Sequence, residues 1–234
     1  MSSGFFSFFA HAGVLFALQE AGLRPAHLGG SSAGALVAAL WASGRDASEI
    51  RGELLRLERA DFWDPAIGLG LLRGRLFREK MERDLGCERF EECRAKLSVV
   101  VHDVIGRAPR VIESGAIAEA VHASCAVPFL FRPVRHQRRW WIDGGVSDRA
   151  ARTSFQPGVR TLHHHIASRS PWRRPGSPAL EPPQRADLVA LVLRDLPRVG
   201  PFKLGNGALA LEQARAAAAR SLHLPWAPVM DIGS

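Results

Sequence analysis

Apolar residues fall at helical spacing near the start of the chain. His11 to Ala21 carries them on one face of a predicted helix that stops at Gly22. Residues Ala33 to Ala42 are apolar on every side, which is typical of a buried helix. Asp46, followed three residues later by Glu49, predicts a capping box that opens the next helix. The first part of the chain is therefore predicted to be helical, with one helix in the core.

Runs rich in β-branched residues, separated by turn residues, follow a predicted short strand around residues 26–28. KLSVVVHDVIG and PRVIESG predict paired strands, RRWWIDGG predicts a strand that ends in a glycine turn, and VRTLHHHIA and ADLVALVL predict two more. An Ala-rich helix is predicted over about residues 206–222. Because helices and strands alternate through most of the chain, the predicted class is α/β with a mostly parallel sheet.

The chain of 234 residues, 47% of them hydrophobic, is long enough to bury one core. No linker rich in Pro, Gly and Ser divides it into halves that would each fold, so residues 1–234 are predicted to form a single domain. The stretch SPWRRPGSPALEPPQ, within about residues 168–186, is predicted to be a proline-rich loop. The sequence does not predict an oligomeric state.

The net charge indicates the kind of binding partner, and the cysteine content indicates the cellular compartment. The net charge of +8 favours anionic partners, such as a phospholipid surface. Cys87, Cys93 and Cys125 form no CxxC pair, which favours a reducing compartment and a cytoplasmic location. The segment GFFSFFAHAGVLFAL has the apolar character of a signal peptide, but no basic region precedes it and His11 interrupts it.

The sequence GSSAG at residues 30–34 fits the pattern G-x-S-x-G, with Ser32 in the middle. Small neighbours let the backbone bend sharply so that a serine hydroxyl stands clear, and the following helix presents free N–H groups to developing negative charge. The pattern favours Ser32 as a nucleophile. The alternative is a glycine-rich helix cap in which Ser31 or Ser32 only satisfies the helix terminus. A phosphate-binding loop fits less well, because no Gly-Lys-[Ser/Thr] follows.

A nucleophilic serine needs a base, and the residues leave two choices open. Ser32, Asp143 and one of His163, His164 and His165 follow the order of an α/β-hydrolase triad. However, only 31 residues precede Ser32, where such enzymes place several strands. Three successive histidines on a strand also alternate between its faces, so they cannot all point at one site. The same alternation argues against a metal centre there.

Four blocks resemble, in order, the motif blocks of the patatin-like phospholipases: AHAGVLFALQEAGL, GGSSAGALVAALWASG, ASCAVPFLFRPV and WWIDGGVSD. Together they run from about Gly4 to Asp148. The resemblance implies a three-layer α/β/α fold and a Ser–Asp dyad that hydrolyses lipid acyl esters without a histidine, metal or cofactor. By motif position, Ser32 would be the nucleophile and Asp143 of the D-G-G block the general base.

The resemblance also implies an oxyanion hole in the segment near the start of the chain, at Gly4, Phe5 and Phe6. The family usually has several consecutive glycines and a basic residue there, whereas this chain keeps only Gly4. We therefore expect Gly4 to form the bend and the backbone N–H groups around it to be the donors. The strand that normally leads into this segment is absent, so either the recorded start is too late or the sheet lacks a strand.

Arginine and tryptophan cluster in residues Phe131–Trp141 and Ser168–Pro175. In a lipid hydrolase these clusters would dock the site on an anionic membrane; the alternative is a solvated hairpin whose tryptophans alternate into the core. No nucleic-acid-binding module is present. Three hypotheses remain: a patatin-like acyl hydrolase of the phospholipase A or lysophospholipase type, an esterase with a histidine triad, and a non-catalytic lipid-binding relative.

Overall fold

A computed structural model of the chain describes residues 1–136, 138–167, 174 and 176–233. Its α-helices span Phe8–Glu20 (α1), Ala33–Ala42 (α2), Ala47–Leu55 (α3), Arg75–Asp84 (α4), Ile117–Ser124 (α5) and Gly207–Ser221 (α6). Its strands span His27–Ser31 (β1), Gly70–Leu72 (β2), Lys96–Asp103 (β3), Ala108–Ile112 (β4), Phe129–Phe131 (β5), Val134–His136 (β6), Arg139–Asp143 (β7), Thr161–Ile166 (β8), Leu188–Arg194 (β9) and Val229–Gly233 (β10).

Strand β3 is the centre of the main sheet. It pairs in parallel with β1 and antiparallel with β4 and β7, and β6 extends the sheet beyond β7. Strands β8, β9 and β10 form a second, parallel sheet, and β2 pairs in parallel with β5. The predicted α/β class is confirmed, with mixed pairing around β3 and parallel pairing in the second sheet.

Met1 and Ser2 connect the two sheets. The amino group of Met1 donates to the carbonyl of Gly29 (2.7 Å), and the Met1 carbonyl accepts from the N–H of Ser31. The N–H of Ser2 donates to the carbonyl of His164 on β8. These residues therefore run between β1 and β8 and supply the hydrogen bonds that a neighbouring strand would give to that edge of β1.

The helices pack together and against the sheets as a continuous core. All ten residues of α2 are buried, as their apolar character predicts. Helix α1 packs along α6 and also contacts α2 and α3, while α5 packs on β3 and β7. The capping box predicted at the start of α3 is present, because the N–H of Glu49 donates to Asp46 and the N–H of Asp46 donates to Glu49.

Two predicted boundaries near the site were wrong. Strand β1 does not end at residue 28 but continues to Ser31, because Gly29, Gly30 and Ser31 pair with residues 98–100 of β3. Helix α1 begins at Phe8 rather than His11. In both places tertiary contacts supply what local propensity does not.

Candidate active site

Ser32 occupies a strained turn between β1 and α2. Its backbone angles are φ 54° and ψ −121°, a region that residues with a side chain seldom adopt. Two glycines make the turn sterically feasible. A Cβ atom on Gly30 would lie 2.4 Å from the carbonyl carbon of Gly34, and one on Gly34 would lie 2.6 Å from the carbonyl oxygen of Met1. The small residues of the G-x-S-x-G pattern are thus required by close backbone contacts on both sides of Ser32.

The Ser32 hydroxyl is hydrogen-bonded to a buried carboxylate. Ser32 Oγ donates to Asp143 Oδ2 over 2.6 Å, and Asp143 Oδ1 accepts from the N–H of Gly145 over 2.7 Å. Ser32 is 8% exposed and Asp143 5% exposed. The two residues of the predicted dyad, 111 positions apart in the sequence, therefore lie in direct contact.

The register of β3 brings these two residues together. Ser31, the last residue of β1, pairs with Val100, while Asp143, the last residue of β7, pairs with the next residue, Val101. Strands β1 and β7 therefore both end at the middle of β3, and the turns that follow them begin side by side. The distance between Ser32 and Asp143 is set by pairings along one strand.

Burial changes the protonation of Asp143. Desolvation raises the pKa of its carboxyl to about 6, because a charged carboxylate is poorly solvated inside the protein. The hydrogen bonds from Ser32 and Gly145 and the charge of Arg149 act in the opposite direction. At pH 7 the carboxylate is mostly ionised and yet a stronger base than a solvated aspartate, which suits it to accept a proton from a hydroxyl group.

Ser124 is a further residue of the site, to which the sequence analysis gave no role. Its Oγ accepts a hydrogen bond from the backbone N–H of Ser32 (2.8 Å) and donates one to the carbonyl of Val100 (2.6 Å). Ser124 therefore ties the strained turn to β3. It lies in the block ASCAVPFLFRPV, whose match to a family motif was the signal available in the sequence.

The segment predicted to form the oxyanion hole lies beside Ser32. Gly4, Phe5 and Phe6 line the same pocket as Ser32, and within the described residues their backbone N–H groups donate no hydrogen bond. The prediction that Gly4 forms the bend was wrong, because the residue with a positive φ (54°) is Phe6. Gly4 is instead constrained by packing, since a Cβ there would lie 2.4 Å from Ser7 Oγ.

An apolar pocket extends from Ser32 along α2 and is called the Ser32 pocket below. It is partly open to solvent, and its lining surface is mostly apolar. Its walls include Leu36 and Leu40 of α2, and Lys80 and Asp84, an ion pair of 3.0 Å on α4, also line it. Because Leu40 lies eight residues after Ser32 and a helix rises about 1.5 Å per residue, the pocket runs for about 12 Å along α2.

Cys125 also lines the Ser32 pocket. Burial and the nearby charge of Asp143 raise the pKa of its thiol well above the ordinary value. The side chain is therefore a neutral thiol at pH 7 and does not compete with Ser32 as a nucleophile.

The three successive histidines lie in the second sheet, on β8. His163 contacts the ring of Phe155, His164 contacts the ring of His11, and His165 Nε2 lies 2.9 Å from the carbonyl oxygen of Leu180. In the described part of the chain, none of these rings is hydrogen-bonded to the dyad. Burial lowers the pKa of His164 to about 3 and of His165 to about 4, so both are neutral at pH 7.

The two predicted clusters of arginine and tryptophan are only partly described by the structure. Trp141 is buried, whereas Trp140 is 40% exposed with the Arg135 guanidinium 5.9 Å from the centre of its ring. The second basic cluster, Ser168–Pro175, lies outside the described residues except for Arg174, as does Gln137 of the first.

Among described residues, no group of three or more His, Cys, Asp or Glu is arranged to hold a metal ion, and no helix has the length and apolarity needed to cross a membrane.

The site combines a strand, a strained serine turn, a buried helix and an aspartate hydrogen-bonded to the serine, an arrangement typical of α/β serine hydrolases. Residues 1–152 match the family model described as patatin-like phospholipase. Because this match covers more than half of the chain, the protein belongs to the patatin-like phospholipase family.

Two curated relatives and one solved structure are similar to this chain. The chain is 28% identical over 143 residues to an uncharacterized NTE family protein of Mycobacterium tuberculosis H37Rv, which covers 60% of this chain and 40% of that protein. It is 25% identical over 146 residues to the lysophospholipase nte1 of Aspergillus fumigatus, covering 59% of this chain and 10% of that protein. The chain thus spans less than half the length of these curated relatives. VipD from Legionella pneumophila has a similar fold, with a TM-score of 0.67 at 15% identity over 94% of this chain and 65% of that one.

Proposed function

We propose that this protein is a serine acyl hydrolase that cleaves lipid carboxyl esters, of the phospholipase A or lysophospholipase type. The observation that carries the proposal is the 2.6 Å hydrogen bond from Ser32 Oγ to Asp143 Oδ2 at one end of an apolar pocket. Membership of the patatin-like phospholipase family supports a lipid substrate. The name of the Aspergillus relative, a lysophospholipase, supports the same class.

In the proposed reaction, Asp143 accepts the hydroxyl proton as Ser32 Oγ attacks the ester carbonyl carbon. The tetrahedral intermediate collapses, the bond between the carbonyl carbon and the alcohol oxygen breaks, and Asp143 returns the proton to that oxygen. The products of this half are an alcohol and an acyl ester of Ser32. A water molecule then reacts in the same way. Asp143 takes its proton as the water oxygen adds to the acyl carbon, the bond from that carbon to Ser32 Oγ breaks, and Asp143 returns the proton to Ser32 Oγ. The fatty acid is released and the neutral serine hydroxyl is restored.

Negative charge on the tetrahedral intermediate needs donors beside Ser32. The N–H of Ser32 itself is engaged by Ser124. We assign the donors to the backbone N–H groups around Gly4, Phe5 and Phe6, together with the N–H of Ala33 at the start of α2, which lines the same pocket. The start of α2 adds a partial positive charge from its aligned peptide dipoles.

Phe6→Pro is expected to lower kcat by about 10²–10³, the usual cost of losing one oxyanion-hole donor. Proline lacks an N–H, and its ring fixes φ near −65°, far from the 54° that Phe6 adopts. Phe6→Gly is the matched control, since glycine keeps the N–H, accepts a positive φ and also removes the aromatic ring. Turnover of a soluble short-chain ester is the measurement. If both variants fold and Phe6→Pro keeps normal turnover, the oxyanion hole lies elsewhere.

The function itself is tested with a fluorophosphonate probe and a defined lipid. The wild-type chain should form a covalent adduct that peptide mapping assigns to Ser32, and should release fatty acid from lysophosphatidylcholine. A covalent adduct at Ser32 without release of fatty acid would indicate a serine esterase that acts on a different class of substrate. No adduct and no release from the folded chain would favour the non-catalytic lipid-binding relative.

A further inference from the structure

Exposed apolar side chains gather around the Ser32 pocket. Ile67, Leu69 and Leu71 lie on a hairpin between Pro65 and Leu72 and are 101%, 80% and 49% exposed. Phe5 and Phe202 are 57% and 71% exposed. We call these five residues the apolar rim: Ile67, Leu69, Leu71, Phe5 and Phe202.

The apolar rim is continuous with the walls of the pocket. Phe5 lines the pocket itself, and Leu71 precedes Leu72, which is fully buried in the pocket wall. Phe202 follows Pro201, another lining residue, and its ring contacts Trp63, also in the wall, at 5.8 Å between centroids. A hydrocarbon chain that leaves the pocket beside Phe5 or Leu72 therefore meets exposed apolar side chains.

The hairpin is held in shape rather than loosely attached. The N–H of Ala66 donates to the carbonyl of Leu71, and the Arg132 guanidinium donates to the carbonyl of Ile67. Strand β2, at the base of the hairpin, pairs with β5. Large exposed apolar patches on a soluble protein mark surfaces that bind a partner, and a hairpin built to expose Ile67 and Leu69 fits this description.

Two arginines lie next to the apolar rim. The Arg59 guanidinium lies 5.3 Å from the ring centre of Phe202, and Arg73 is exposed directly after the hairpin. Within the described residues, neither arginine forms an ion pair with a carboxylate. The nearby carboxylate of Asp64 is engaged by backbone N–H groups at the start of α4, including those of Gly74 and Arg75. The chain as a whole carries a net charge of +8.

We propose that the apolar rim inserts into a lipid bilayer while Arg59 and Arg73 contact anionic headgroups, which places the opening of the Ser32 pocket at the bilayer surface. The occupant is a membrane because the surface combines bare aliphatic and aromatic side chains with unpaired arginines, the pattern of interfacial anchors. The proposal deepens the proposed function and rests on it, since a lipid hydrolase must receive its substrate from such a surface.

The test is sedimentation of the full chain with vesicles of phosphatidylcholine alone and of phosphatidylcholine mixed with phosphatidylglycerol. The wild type should bind both, and the mixture more tightly. Leu69→Ser should lower partitioning about tenfold on either vesicle, the loss expected for one buried aliphatic side chain. Arg73→Ala should instead reduce the preference for phosphatidylglycerol by about fivefold.

Leu23→Ser and Arg24→Ala are the matched controls. Both residues are exposed, and both precede β1, at the opposite end of that strand from Ser32. Neither change should alter vesicle binding, and thermal unfolding checks that all four variants are folded.

The outcomes separate this proposal from the proposed function. Vesicle binding is measured on Ser32→Ala as well, so binding that persists without hydrolysis supports the surface even if the catalytic proposal fails. Wild-type binding that Leu69→Ser does not weaken would overturn the surface, as would hydrolysis of soluble esters without any vesicle binding. A self-associated wild type that Leu69→Ser converts to monomers would assign the apolar rim to a second copy of the chain and overturn the membrane assignment.

Discussion

Ser32→Ala is expected to abolish ester hydrolysis and fluorophosphonate labelling, lowering kcat by about 10⁶, the loss found when the catalytic serine of a hydrolase is removed. Alanine keeps the Cβ and the backbone turn but has no oxygen to attack the carbonyl or bond to Asp143. The measurement is turnover of a short-chain ester together with mass spectrometry of the labelled protein.

Ser31→Ala is the matched control and should keep both activities. Ser31 is the last residue of β1, is fully buried, and has its Oγ packed beneath Gly144, whereas Ser32 lines the pocket. Substrate therefore has no route to Ser31. Full labelling of the Ser32→Ala protein, or loss of labelling in a folded Ser31→Ala protein, would refute the assignment of Ser32.

Asp143→Asn is expected to lower kcat by about 10⁴, comparable to the loss when the carboxylate of a hydrolase triad becomes an amide. Asparagine retains the size of the side chain but cannot take the serine proton. In the wild type, kcat/KM should fall about tenfold per pH unit below a pH of about 6, because burial raises the pKa of Asp143 to that value and the protonated carboxyl is no longer a base. The pH profile, with circular dichroism at each pH, is the measurement.

Single changes of His163, His164 and His165 to Gln test the competing triad. Each should retain most of the turnover per folded molecule, because none of these rings bonds to Ser32 or Asp143 in the described residues. A histidine change that eliminates turnover in a folded protein would replace the Ser–Asp dyad with a histidine-dependent mechanism.

The parts of the site that follow from local patterns were predictable. The all-apolar run of α2, the small residues around Ser32 and the capping box at Asp46 each depend on neighbours within a few positions of the chain. The D-G-G block was found by family resemblance, which carries information about contacts between distant residues that a single sequence does not show.

The parts that depend on distant contacts were missed. The extension of β1 through Gly29 and Gly30 comes from pairing with β3, and no local propensity favours glycine in a strand. We expected the bend at Gly4, because glycine adopts a positive φ at low cost. The positive φ is instead at Phe6, whose ring packs against those of Phe8 and Phe62. The role of Ser124 arises only once α5 lies against the end of β1.

The positions of Ser32 and Asp143 are both set by pairing with neighbouring residues of β3. The geometry of the two side chains is therefore largely independent of the segments that contact substrate. Val100 pairs with the end of β1 and Val101 with the end of β7. The segments that connect β1 to β3 and β3 to β7 lie between these fixed pairings. Apart from the residues that hold the site, such as Gly34 and Ser124, we expect these segments to tolerate changes in length or sequence without altering the spacing between the serine and aspartate oxygens. The hairpin at residues 65–72 lies in the first of these segments, so we expect that a change in its sequence alters the proposed membrane preference while Ser32 and Asp143 stay in place.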